Sequence, residues 1–418
     1  MRVLTFLNNL GLGGTEKAAC RWARGLRERG HHVSVLTLKD GPRRAELEQH
    51  GIVVRVAEPT ASSVSGALRE ISPEAIHAHA PGHPHDGDVL GEALASLPKI
   101  PVAQTNIFGH LQNPREDAWT DFRLFISWTS CVQAARRARR PLDEKFFQRA
   151  SVAVYPVDAE EPSPQADIQN FHRRIGVADN EVLFGRLSRP DPAKWTNLAL
   201  DAFQIALRRN RAMKLLLREP PPAIAEKLRT SSDADRFIIL PATAEAAELR
   251  LTMSALDVVL HTSSIGESFG YGIAEPMNLG KPVITHSVPW QDQAQIELAR
   301  HGECGCVAST PTAMAEAINR LAADKILRER MGHAARQHIR AVANPAVSIA
   351  RIESALQAVI AEHGNTDVAV DLRRARETAA YLDAHQFGHS LGEQLALRPH
   401  YWRVCFHHWR KRPISPRR

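Results

Sequence analysis

Short apolar runs alternate with longer amphipathic ones from the first residue of the chain. VLTFL, HHVSVLTL, VVRVAE, AIHAHA and PVAQTNIF have the length and composition of strands, and GTEKAACRWARGLRERG after the first has the spacing of a helix with one apolar face. Strand, helix and strand in this order predict a parallel sheet with crossover helices. LFISWTSCVQAARRARR follows as a strand feeding a helix with a very basic end, then VAVYPV as a further strand. The pattern breaks at AEEPSPQAD, whose polar residues and prolines suit a linker.

A second series then begins. EVLFGRL, MKLLL, RFIIL, DVVLHTS and PVITH read as strands, separated by the helix-like NLALDAFQIALRRN, AIAEKLR and AEAAELRLTMSAL. The expected fold class is therefore α/β, with two Rossmann-like doubly wound halves: residues 1–163, residues 164–345, and a third segment, 346–418, of helices and a basic tail.

Composition changes this picture little. An apolar fraction of 44% and a charged fraction of 24% are those of a soluble globular protein. No run of 18 apolar residues occurs, and Asn8 and Asn9 interrupt the first apolar run, which reads as a strand and not as a signal peptide. Five scattered cysteines fit a reducing compartment, so a cytoplasmic location is expected. Cys304 and Cys306 have no second Cys or His pair nearby at zinc spacing. The formal charge of +7 sits in residues 394–418, which hold seven Arg and Lys and no acid, while the rest of the chain balances.

In open α/β sheets, ligands bind outside the carboxyl ends of the strands, where a loop meets a helix N-terminus. Both halves mark that place with glycine. After VLTFLNN come Gly11, Gly13 and Gly14, which could cradle a phosphate or simply make a tight turn. After DVVLHTS the chain runs GESFGYGIAEP, residues 266–276. Pro276 limits where the next helix starts, because proline is tolerated in a first turn but costs about 3 kcal/mol in a helix interior. The helix is expected to begin near Ile273 or Ala274, with Glu275 in its first turn and Glu267 across the loop. Two carboxylates beside backbone amides suit a ligand with hydroxyls and an anionic part, as a sugar nucleotide has. They could also be acids that favour the helix dipole. Arg186, at the end of EVLFGRL, and Lys194, in RLSRPDPAKWTN, could neutralise a leaving diphosphate or belong to a solvated basic loop.

GLGGTEKAA, FGRLSRPDPAKWTNLALDAF and SALDVVLHTSSIGESFGYGIAEPMNLGKPVIT together resemble the retaining nucleotide-sugar glycosyltransferases of family 4, over roughly residues 1–345. The resemblance implies a GT-B fold, two Rossmann-like domains facing across a cleft, with the acceptor on the first and the nucleotide-sugar donor mainly on the second. It implies that Arg186 and Lys194 contact the diphosphate and Glu275 the ribose. Glu267, with the amides from Phe269 through Gly270, Tyr271 and Gly272 to Ile273, would hold sugar and phosphate, and Gly13 and Gly14 would close over the phosphates. Asn106 stands where many members have a histidine and becomes a candidate sugar contact, with His110 four residues on. Trp195 replaces the usual glycine after the lysine.

The expected activity is glycosyl transfer, with retention, to a hydroxyl of a saccharide or lipid-linked acceptor in a polysaccharide or glycolipid pathway. No cofactor and no essential metal are expected, since no Asp-x-Asp site is evident. A degenerate member that binds a sugar nucleotide without transfer, or an epimerase on the same fold, is the alternative. The tail interleaves Tyr401, Trp402, Phe406 and Trp409 with arginines. It could seat the chain peripherally on an anionic membrane surface, or close as a helix on the first half. No nucleic-acid motif accompanies the charge.

Overall fold

The computed structural model describes residues 1–82 and 87–410, and of 405–410 the backbone alone. Phe406 and Trp409, the Arg410 side chain and the four cations from Lys411 on lie outside what is described. The chain divides into two compact units. One is Met1–Asp158 with Val342–Ala380, and the other is Ala159–Ala341 with the segment from Tyr381 on.

The first unit is built on seven parallel strands: β1 (Arg2–Leu7), β2 (His32–Thr37), β3 (Val53–Val56), β4 (Ala75–Ala80), β5 (Val102–Asn106), β6 (Phe122–Phe125) and β7 (Ala150–Val152). Their order is β3-β2-β1-β4-β5-β6-β7, so the winding reverses between β1 and β4. β1 and β4 are buried along almost their whole length, as central strands covered by helices on both faces must be.

The second unit has six strands: β8 (Val182–Leu187), β9 (Met213–Arg218), β10 (Phe237–Leu240), β11 (Val258–Leu260), β12 (Val283–Thr285) and β13 (Gly305–Val307). Their order is β10-β9-β8-β11-β12-β13, reversing between β8 and β11. Its core runs from Phe184, Leu215 and Leu260 on the strands to Phe203 and Ile318 on the covering helices. The second series in the sequence ended at PVITH, so β13 was missed. Three residues in GECGCVA offer no alternation to read.

The third segment expected from residue 346 is not a unit of its own. The helix Pro345–Ile360 packs on the first sheet, burying Ile352, Ala355, Leu356 and Val359. Ser348 pins it there: its hydroxyl accepts from Trp22 Nε1 at 2.7 Å and donates to the Val154 carbonyl. Glu353 bonds His31 at 2.7 Å and Arg29 at 2.6 Å. The chain then rejoins the second unit, which also holds the closing helix Leu391–Arg410 that the sequence had offered to the first half. An amphipathic pattern tells that a helix has a face to bury, but not which sheet receives it.

Candidate active site

Arg186 is the next-to-last residue of β8, and its side chain turns wholly into the protein, 1% exposed. Its guanidinium lies 3.9 Å from the ring centroid of Trp195, donates to Thr262 Oγ1 at 3.1 Å and bonds the Lys194 carbonyl. Burial brings its pKa down to about 9, partly offset by Glu267, so it stays charged at neutral pH. Nε of Arg186 has no partner among the described residues. A buried N–H without an acceptor is costly.

Lys194 ends a short turn, Pro192–Lys194, opened by Asp191. Its Nζ lies 2.8 Å from Glu267 Oε2, while Glu267 Oε1 is 3.1 Å from His261 Nε2. Burial alone would push the Glu267 carboxyl up. The His261 hydrogen bond and the Lys194 charge outweigh it and hold the group near 2. His261 is itself pushed down by burial, against the pull of Glu267, and burial takes the nearby His286 down to about 3. The Nδ1 atoms of both rings have no partner among the described residues. Thr196 Oγ1 donates to Thr262 Oγ1 at 3.0 Å, joining the two loops.

The loop 266–270 gives this cluster its shape. Gly266 has φ +64°, and a Cβ there would lie 1.7 Å from the Asp292 carbonyl oxygen, so no side chain fits. The Glu267 amide donates to Gln295 Oε1 at 2.9 Å and its carbonyl accepts from the Ala294 amide at 2.8 Å, fixing the carboxylate from behind. Gly270 caps the helix Tyr271–Asn278, and a Cβ at Gly272 would lie 2.8 Å from the Leu187 carbonyl. Without side chains there, the helix N-terminus sits directly on the end of β8, beside Arg186. Phe269 is buried, its ring 5.0 Å from that of Tyr271.

The helix begins two residues before the expected start, and Pro276 lies inside it. Glu275 therefore stands in the second turn, half-buried, and not in the first. The Ile273 amide, expected among the phosphate-holding donors, is bonded to the Gly270 carbonyl at 3.0 Å. The proline rule misled because a single internal Pro removes only one helical bond, and tertiary packing of the turn on β8 outweighs that loss.

In the first unit, Gly13 caps the helix Gly14–Glu28 without a side-chain hydrogen bond. The Glu16 carboxylate folds back over this loop, and a Cβ on Gly13 would lie 2.1 Å from its Oε2. Asn106, at the carboxyl end of β5, is fully buried. Its amide donates to the His110 carbonyl at 2.6 Å and accepts from the His110 amide at 3.1 Å, closing the loop between them. The side chain expected as a candidate sugar contact thus holds this turn. Sequence reasoning missed His261, Thr262 and His286. The HTS after DVVL was legible only as a strand end.

Residues 13–162 match the family model described as glycosyl transferase 4-like domain, and residues 180–324 match that of glycosyl transferases group 1. No curated protein matches the chain in sequence. Among solved structures, Anabaena HepE in complex with UDP and glucose is similar at 20% identity and TM-score 0.69, covering 85% of this chain and 99% of that one. Sucrose-phosphate synthase from Thermosynechococcus elongatus is similar at 16% identity and TM-score 0.69, over 86% and 99%. WaaG, a glycosyltransferase involved in lipopolysaccharide biosynthesis, is similar at 15% identity and TM-score 0.60, over 84% and 99%. At such identities the likeness to these structures is one of fold. Two glycosyltransferase family models thus meet two doubly wound sheets in one chain, which carries the two domains of a glycosyltransferase of the GT-B type.

Proposed function

We propose that the chain moves a sugar from a nucleotide-diphosphate sugar to a hydroxyl of a saccharide or lipid-linked acceptor, retaining the configuration of the transferred carbon. The observation that carries this reading is the cluster at the end of β8: buried Arg186, Lys194 paired with Glu267, and a helix N-terminus packed beside them. When a glycosyl–phosphate bond breaks, negative charge grows on the leaving diphosphate. Preorganised cations in a water-poor site stabilise that charge most. Lys194 has three N–H donors and can bond Glu267 and a phosphate oxygen together. Glu267 stays a carboxylate over the working pH range, so it serves as an acceptor for sugar hydroxyls and as an orienter of Lys194, not as a general acid. No carboxylate nucleophile is needed if the departing phosphate takes the acceptor's proton on the same face.

HepE has been solved with UDP-glucose and with UDP, and TarM with UDP, which makes uridine nucleotides the first donors to try. A thermal-shift panel of UDP, GDP, ADP and their sugars tests the donor site. A ligand at 100 times its dissociation constant adds about 2.7 kcal/mol of stability. A panel without any shift would sink the proposal. The anomeric proton signal of the product reports retention, and activity unchanged by a chelator is expected. The engaged Asn106 amide favours one rival, a protein that binds the donor without transferring it. Slow hydrolysis of the donor sugar to water would exclude that rival.

A further inference from the structure

We propose that the closing helix Leu391–Arg410 docks the protein on an anionic membrane surface, lying in the headgroup plane. The inference is independent of the donor-site reading. One face of this helix is fixed to the second unit. Glu393 is buried, its carboxylate accepting from the amides of Ser309 at 2.6 Å and His389 at 2.9 Å, and Leu397 is buried one turn on. His400 lies against Trp290, with ring centroids 4.2 Å apart.

The opposite face bears Leu391, Leu395, Arg398, Pro399 and Trp402, spaced as one helical stripe. Its three large apolar members are 73%, 66% and 67% exposed. Single exposed apolar residues are ordinary on a protein surface, but three along one stripe, accompanied by the exposed Arg398 and Arg403, form a surface of defined chemistry. Apolar side chains and a tryptophan beside arginines match the boundary between acyl chains and anionic headgroups.

Charge selects the occupant. Residues 394–418 carry seven cations and no acid by sequence. Two copies meeting along this stripe would bring Arg398 and Arg403 of one against those of the other, whereas an anionic bilayer attracts them, at about fivefold in partitioning for each cation close to the surface. A nucleic acid would use the charge but leave the leucines without a role. Spanning is not the mode: no helix among the described residues is long and apolar enough to cross a membrane, and Pro399 interrupts this one.

The test uses the full chain with vesicles of equal parts phosphatidylcholine and phosphatidylglycerol, and with phosphatidylcholine alone. Wild type is expected to pellet with the anionic vesicles in low salt and to release in high salt, and not to pellet with phosphatidylcholine. L391S/L395S/W402S is expected to bind about tenfold more weakly or less, and R398S/R403S about 25-fold more weakly. All five side chains are exposed, so unchanged melting is expected of both variants. Should either melt lower, W402F decides: brominated lipid quenches wild-type tryptophan fluorescence, and the variant must lose part of that quenching. The proposal is overturned if wild type ignores anionic vesicles, if the folded variants bind as wild type does, or if W402F is quenched equally. Sedimentation showing a dimer that the triple serine variant dissociates, without vesicle binding, would assign the stripe to a second copy instead.

Discussion

Both halves of the molecule place a glycine loop between a strand's carboxyl end and a helix N-terminus, yet they fill it with opposite charge. In the first unit the Glu16 carboxylate lies over Gly13, so the positive end of that helix is answered from within. In the second unit the helix N-terminus lies beside Arg186 and Lys194, and the nearby acid, Glu267, is bonded to Lys194 and His261. A loop that supplies its own anion is a satisfied turn. A loop flanked by two cations, one with an Nε that has no partner among the described residues, is where the proposed function seats the donor diphosphate. The lesson is that glycine and a helix start are not enough; what occupies the helix N-terminus decides.

The largest effects are expected from the cations. Lys194→Ala should lower turnover about 10²- to 10³-fold, the usual cost of one oriented charge-stabilising donor, and lower melting by a smaller margin, because the buried Glu267 carboxylate keeps His261 but loses its cation. Arg186→Ala should do the same but also destabilise by about 2–4 kcal/mol. Its stem and guanidinium fill buried space against Trp195, and removing them leaves a cavity and takes one of two hydrogen bonds from Thr262. Steady-state kinetics beside chemical denaturation separate the two. Equal turnover in Lys194→Ala and wild type would erase the contrast between the halves.

Glycine substitution sharpens the same comparison. Gly266→Ala forces a Cβ to 1.7 Å from a backbone oxygen at φ +64°, and a loss of about 3 kcal/mol or more is expected. Gly13→Ala meets only the end of the flexible Glu16 side chain at φ −67°, an ordinary value. It should cost less than about 1 kcal/mol. Urea midpoints of the two variants check both.

Acid separates the units in another way. His77 in the first and His286 in the second are buried neutral, with pKa values pushed down by burial to about 3. Below about pH 6.5 the unfolded chain takes up protons that the folded rings refuse. Each ring's contribution is thus complete above pH 6.5 and is lost as pH falls toward 3, at about 1.4 kcal/mol per pH unit. In the second unit Glu267 partly supports His261, whereas burial and the neighbouring His77, 4.5 Å away between ring centroids, both push His79 down. The second unit, however, also holds His301, His385 and His389, each pushed down by burial, so hydrogen exchange followed from pH 7 to 5 should open the second unit before the first. Simultaneous opening, or no change with pH, would contradict this.

How far the sequence disclosed these features depends on whether the cause was local. The succession of strands and the glycine loops could be read because alternation and turn chemistry are written in neighbouring residues, and Arg186, Lys194 and Glu267 do converge. The destination of the helix Pro345–Ile360 could not, because Ser348 finds Trp22 and Val154 only through folding. The bonds of Asn106 to His110 were hidden for the same reason: an amide at a strand end does not show its partner until the loop turns back on it. His261 was hidden in a strand-like string, and its role exists only once Glu267 arrives beside it.

The smallest expected effect tests the first loop itself. Glu16→Gln keeps the side-chain length and removes the charge lying over Gly13. If that loop helps to hold the donor diphosphate, as the resemblance implied for Gly13 and Gly14, a repulsive carboxylate disappears and KM for the donor should fall. The interaction of one charge with a helix N-terminus amounts to about 0.3–1 kcal/mol, so a two- to fivefold change is the range to measure, larger at low salt. Turnover should stay as it is, since the proposed function assigns the chemistry to the second unit's cations. A KM that does not move at any ionic strength would mean that the first glycine loop is a turn and nothing more, leaving the second to bind phosphate unaided.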